Sequence, residues 1–174
     1  MLELIYETHA TTTDNEAGIA TGWLPGELSE LGREQARELG ERRGDVDVVF
    51  SSDLGRALET VEYAFLDHDV PVFLDWRLRE CDYGDLNGAP VAELEAVRAR
   101  YVDTPFPNGE SYHDVLARTD SFVRDVKRRW DGKRICVVAH SANRWAFESL
   151  AGGTPLARLV TEPFQWQPGW EFRL

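Results

Sequence analysis

Residues 134–141 read Arg134-Ile135-Cys136-Val137-Val138-Ala139-His140-Ser141. A strand with one wet face alternates apolar and polar residues, whereas the run from Ile135 to Ala139 is apolar throughout. It therefore reads as a central strand covered on both faces, the pattern of a parallel sheet flanked by helices. His140 follows that run directly, and side chains at the carboxyl ends of such strands line the crevice where open α/β sheets bind ligands. A second short apolar run, Leu4-Ile5-Tyr6, leads through Glu7 and Thr8 to His9. Two of the chain's four histidines thus fall at expected strand ends.

Working outward, residues 2–6 are a strand candidate, followed by a long polar stretch at 11–27 that is expected to be a functional loop. Ser29 stands before Leu31, Ala36 and Leu39 at helical spacing and reads as the N-cap of a helix over 30–43. A buried strand is expected at 46–50, a helix at 54–65 and a weaker strand at 70–74. Helices should cover 90–100 and 110–130, separated by the breakers of Thr104-Pro105-Phe106-Pro107-Asn108-Gly109. After the central strand come a helix over 142–150, ended by Gly152-Gly153, and an edge strand at 169–174. This alternation predicts a three-layer α/β sandwich with a mostly parallel sheet, as one domain spanning 1–174.

The charge sets conditions on partners. Nineteen Lys and Arg against 31 Asp and Glu give a formal net charge of −12, which repels nucleic acid and anionic membrane surfaces. No apolar run reaches the roughly 20 residues that cross a bilayer, and Met1-Leu2-Glu3-Leu4 lacks the basic start of a signal peptide. A cytoplasmic chain with Cys81 and Cys136 as reduced thiols is expected. A homodimer is the default expectation, two-fold homo-oligomers being the commonest soluble assemblies. A small phosphorylated substrate would be admitted only if locally clustered Arg overcame the global field.

Five ordered blocks resemble the histidine phosphatase superfamily, whose best-known member is the cofactor-dependent phosphoglycerate mutase. They are His9 with Asn15, Thr21-Gly22-Trp23, Leu28-Ser29-Glu30 and Gly32; Ser51-Ser52-Asp53-Leu54-Gly55-Arg56-Ala57; Leu78-Arg79-Glu80-Cys81-Asp82-Tyr83-Gly84-Asp85; Asn108-Gly109-Glu110-Ser111; and Val137-Val138-Ala139-His140-Ser141. The resemblance implies that His9 attacks phosphorus and becomes a phosphohistidine. Neutral imidazole is a good nucleophile near neutral pH, and its phosphorylated form is reactive enough to be hydrolysed. Arg56 and His140 would supply positive charge or a proton to the phosphoryl oxygens, and Glu80 would protonate the leaving group and then activate water. Asn15, Thr21, Gly22 and Tyr83 match positions near phosphate or substrate, where structural roles are as well supported as functional ones. No metal or cofactor is called for, since His68 and His113 lack partners at ligand spacing and no His-x-x-x-His or His-x-Glu arrangement occurs.

The first block departs from the family, which ordinarily reads Arg-His-Gly where this chain reads Thr8-His9-Ala10. Replacing a bidentate guanidinium by one hydroxyl costs about 2 to 4 kcal/mol of transition-state stabilisation. Glu7 adds negative charge beside it, and Ser141 stands where Gly is usual. Arg144, four residues beyond His140, is a candidate to replace the missing cation, with pairing to Glu148 as the competing expectation. The segment between Glu80 and Gly109-Glu110-Ser111 is short beside the mutases' capping insertion, which favours hydrolysis over phosphoryl transfer. The readings are a metal-independent phosphomonoesterase, a mutase, or a weak or inactive relative that binds a phosphorylated ligand or protein. Trp166-Gln167-Pro168-Gly169-Trp170 is expected to pack at the sheet edge or meet a second copy.

Overall fold

The computed structural model describes residues 2–174. Its elements, in chain order, are β1 (Glu3–Thr8), α1 (Thr13–Ala17), β2 (Ile19–Ala20), α2 (Glu30–Arg42), β3 (Val48–Ser51), α3 (Gly55–Phe65) and β4 (Val72–Leu74). They continue with β5 (Ala89–Pro90), α4 (Val91–Val97), α5 (Tyr112–Trp130), β6 (Arg134–Ala139), α6 (Ser141–Gly152), α7 (Leu156–Leu159) and β7 (Trp170–Arg173). Five strands form one sheet in the order β4-β3-β6-β1-β7, parallel except for β7, which runs antiparallel along β1. The expected α/β sandwich is present, with β6 at the centre and β7 at an edge.

Strand alternation divides the core into two layers. Leu4, Tyr6, Val48, Phe50, Ile135 and Val137 face α5 and α6, meeting Phe122, Val123, Val126 and Phe147. Ile5, Val49, Cys136 and Val138 face α2 and α3, meeting Leu39, Val61, Ala64 and Phe65. The all-apolar β6 is therefore fully covered, as its composition demands. The two cysteines are buried and unpaired, one in β6 and one near the site loop.

The polar stretch at 11–27 is more ordered than expected. Thr12 caps α1, accepting from the Asn15 amide at 3.0 Å while the Asn15 side chain accepts from the Thr12 amide. Gly18 ends that helix in the left-handed conformation, and β2 then pairs with β5. Other elements shift at their ends. Ser111, with Asp114 completing a capping box, starts α5 two residues later than the apolar pattern suggests. The helix at 90–100 is α helical only to Val97 and tightens into a 3₁₀ turn over Arg98–Tyr101.

Ser29 caps α2 by accepting from the Gly32 amide at 3.2 Å. The helix start abuts the loop just past His9: the Ser29 amide donates to the Thr11 carbonyl at 3.0 Å, and a Cβ at Gly32 would stand 1.9 Å from that same oxygen. An alanine in open helix gains about 1 kcal/mol over glycine, but here backbone must move. Gly32→Ala should therefore lower unfolding stability by about 2 kcal/mol, read as a lower urea midpoint; an unchanged or raised midpoint would show that the contact is slack.

Candidate active site

The β1–β6 register carries Thr8 opposite Ala139, and the His9 amide continues the ladder by donating to the Ala139 carbonyl at 2.9 Å. His9 and His140 consequently lie at neighbouring strand ends with ring centroids 5.1 Å apart. The Tyr6 hydroxyl, buried in the layer below, donates to the His140 carbonyl and ties the end of β6 back to β1.

His9 Nδ1 lies 2.7 Å from the Ala10 carbonyl oxygen. A carbonyl only accepts, so Nδ1 carries the proton and Nε2 keeps its lone pair. The Arg56 Nε donates toward that lone pair at 3.4 Å. Burial and then the Arg56 charge pull the His9 pKa down to about 3, against the weaker opposing pull of Ala10. The ring is neutral at physiological pH, and an imidazole so held can attack phosphorus through Nε2 while the Ala10 carbonyl steadies the charge that develops on the ring.

Arg56 rises from the first turn of α3 and is buried. Its Nη2 donates to the Gly22 carbonyl at 2.9 Å, and its Nη1 has no partner among the described residues. Burial lowers its pKa, with Glu80 the largest opposing influence, and a guanidinium remains charged regardless. His140 adjoins His9 but is fully buried, with neither ring nitrogen hydrogen-bonded among the described residues. Burial first, then Arg56, His9 and Arg118, holds its pKa well below the usual value. It can offer a neutral N–H donor, not a cation.

Glu80 Oε1 accepts from the amides of Cys81 at 2.8 Å and Ala142 at 3.2 Å, the latter in the first turn of α6. Burial raises its pKa against the influence of those amides, Arg56 and Arg118. Both backbone donors use Oε1, which leaves Oε2 to carry a proton. A carboxyl so placed can act as an acid near neutral pH.

A cavity of about 600 Å³ opens over His9, Arg56 and Glu80, and Thr8, Asn15, Thr21, Gly22, Tyr83 and Ser141 also line it. Two of these have evident structural work: Asn15 caps α1, and the Thr21 hydroxyl donates to Asp14 at 2.8 Å. His140, fully buried beside His9, is not among the lining residues, and neither is Arg144. The Arg144 Nη1 donates to Glu148 at 2.9 Å and its guanidinium lies 5.4 Å from the Trp170 ring centre, outside the cavity lining. His140 has extended rather than helical torsions (φ −130°, ψ 169°), so the i to i+4 rule that would place both side chains on one face does not apply. Glu7 also departs from expectation. Its side chain points to the opposite sheet face, where Arg43 Nε donates to it at 2.7 Å and Arg42 lies at 3.5 Å, so its charge is neutralised away from the site.

Sequence reasoning passed over the residue that positions Glu80. Arg118, buried on α5, donates to the carbonyls of Arg77 and Arg79 at 2.7 Å and of Glu80 at 2.8 Å, while Glu110 accepts from it at 3.0 and 2.9 Å. Trp23 Nε1 adds a bond to the Glu80 carbonyl at 2.7 Å. The available signal was a charge on the buried stripe of α5, among Tyr112, Val115, Thr119 and Phe122. The tail expectation was half right: Trp170 packs on Tyr6, but Trp166 is 60% exposed and lines the cavity.

The profile described as the histidine phosphatase superfamily (branch 1) matches residues 8–165, and the chain belongs to that superfamily. It is 32% identical over 167 residues to a 2,3-bisphosphoglycerate-dependent phosphoglycerate mutase of Methylobacterium sp. (strain 4-46), covering 86% of this chain and 80% of that one. It is 31% identical to phosphoserine phosphatase 1 of Hydrogenobacter thermophilus, covering 91% and 80%. Among solved structures, a mycobacterial glucosyl-3-phosphoglycerate phosphatase complexed with VO3 superposes with a TM-score of 0.81 at 29% identity, covering 92% of this chain and 86% of that one.

Two measurements check this geometry. The His9 ring resonances should not titrate between about pH 8 and 5, because its pKa of about 3 lies far below the usual 6.5; a midpoint near 6.5 would show a charged ring. By the same linkage the unfolded chain takes up the proton first, so this group's contribution to stability is full above about pH 6.5 and declines as the pH falls toward 3. Arg118→Met should cost about 3 kcal/mol of stability, since it strands Glu110 and three carbonyls, read from a denaturant titration; a loss under about 1 kcal/mol would mean that water replaces the guanidinium.

Proposed function

We propose that the chain is a phosphomonoester hydrolase that works through phospho-His9. The observation carrying this reading is the His9 tautomer: Nδ1 is committed to Ala10, and Nε2 stands beside the Arg56 guanidinium in a cavity that also holds a buried Glu80. His9 Nε2 attacks phosphorus, the P–O ester bond breaks, and the leaving oxygen takes the Glu80 proton. Water then attacks the phosphohistidine, the P–N bond breaks, and Glu80 recovers a proton from that water, releasing inorganic phosphate. Arg56 Nη1, without a partner among the described residues, is the donor available in the cavity for the phosphoryl oxygens, with the unpartnered ring of buried His140 directly behind His9. Family membership, with phosphatases among the similar proteins, supports the class of reaction. Cytoplasmic residence and a dimeric state belong to this proposal as well.

Hydrolysis of p-nitrophenyl phosphate should survive EDTA and vanish in His9→Ala, and the working enzyme should carry an acid-labile phosphate; abolition by EDTA would sink the phosphohistidine route. Glu80→Gln should slow alkyl phosphates about a hundredfold and p-nitrophenyl phosphate far less, because nitrophenolate leaves without a proton. Equal slowing of both would remove Glu80 from the acid role.

Thr8 supports a second reading, a slow or non-catalytic phosphate-ester binder. It lines the cavity at the family's Arg position, and Arg144 does not enter to replace that cation. Thr8→Arg should then raise kcat/KM for p-nitrophenyl phosphate by about tenfold or more. An unchanged value would show that Arg56 and the histidine pair suffice.

A further inference from the structure

The cavity has two regions of different chemistry. Its floor holds His9, Arg56 and Glu80, while its outer part is bounded by Ile19 of β2, Val91 and Leu94 of α4, Trp145 of α6, and Phe164 and Trp166 of the loop before β7. Phe164 and Trp166 are 44% and 60% exposed and stand together on the lining of this cavity, continuous with the apolar surface of Ile19 and Val91, the contiguity that marks a ligand groove. A volume of about 600 Å³ is ample for a ligand much larger than the phosphoryl group.

The charges of the outer region point the same way. Apart from His9, the only basic side chains lining the cavity among the described residues are Arg56, at the floor, and Arg98. Arg98 is already engaged: its Nη2 donates to the Glu162 carbonyl at 3.3 Å, Glu95 lies 3.7 Å from its Nη1, and its guanidinium sits 5.2 Å from the Trp145 ring centre. A carboxylate on the substrate would have to compete with Glu95 for Arg98 and would face the Glu95 charge itself.

We infer that the substrate is a phosphate monoester of an uncharged, aromatic alcohol, with its ring held between Trp166 and Phe164 on one side and Val91 and Leu94 on the other. Stacking on an indole suits a planar ring, and the aliphatic wall removes its other face from water. This rests on the reading of the floor as a phosphoryl site.

Non-hydrolysable phosphonates separate the two readings by calorimetry. 2-Phenylethylphosphonate should bind about tenfold more tightly than ethylphosphonate, and more tightly than 3-phosphonopropionate or 2-aminoethylphosphonate. Trp166→Ala and Phe164→Ala, both at exposed positions, should bring the phenyl-to-ethyl affinity ratio toward one, with folding checked by circular dichroism. Equal affinity for the phenyl and ethyl compounds, tighter binding of the carboxylate or amine, or a ratio unmoved by both variants would overturn the inference while leaving the phosphoryl site intact. Failure of every phosphonate to bind would overturn the phosphoryl-site reading and this inference together.

Discussion

The pairing of β1 with β6 is the constraint on which the rest of the site depends. Six registered pairs, from Glu3 with Arg134 to Thr8 with Ala139, leave no freedom to slide, because a one-residue slip would turn Leu4 and Tyr6 out of one core layer and Ile5 out of the other. That register, extended by the His9 amide and locked by the Tyr6 hydroxyl, sets the two imidazoles side by side. Everything else is brought to them: Arg56 by the start of α3 after β3, and Glu80 by the loop that follows β4.

Buried charge is arranged so that each guanidinium has a distinct duty. Arg118 spends its donors on three carbonyls and a carboxylate and thereby acts as a rigid brace for the Glu80 loop. Arg43 neutralises Glu7 on the far sheet face. Arg56 keeps a donor, Nη1, without a partner among the described residues at the cavity floor. A chain with a net charge of −12 can therefore present a locally positive floor, because Arg56 stands in the cavity while Arg118 and Arg144 are paired with the carboxylates of Glu110 and Glu148.

Much of this was legible in the order of residues. The unbroken apolar run of β6 and the strand-end histidines gave the sandwich and its crevice, since period and burial are local properties of the chain. Ser29 announced α2 because capping is local chemistry too. What stayed hidden depended on direction and distance. Glu7 could not be assigned to a face without the strand's end, Arg144 obeyed the torsions of a cap instead of helical spacing, and Trp166 parted from Trp170 because a loop turns between them. Arg118 was visible as a misplaced charge on an apolar stripe, but its three carbonyl partners come from a loop roughly 40 positions away.

The two regions of the cavity are built by different parts of the chain. Its floor hangs on the central sheet and on helices packed into the core, whereas its rim is made largely by short elements, α4, β2 and the loop before β7, with Trp145 of α6 behind them. Leu94 and Trp145 belong to a core cluster, but Phe164 and Trp166 are exposed, so changes at those two positions leave the register of β1 and β6 untouched. Under the proposed reaction, selection can therefore rewrite the preferred leaving group at the exposed rim positions while the floor that holds the phosphoryl group is left unchanged.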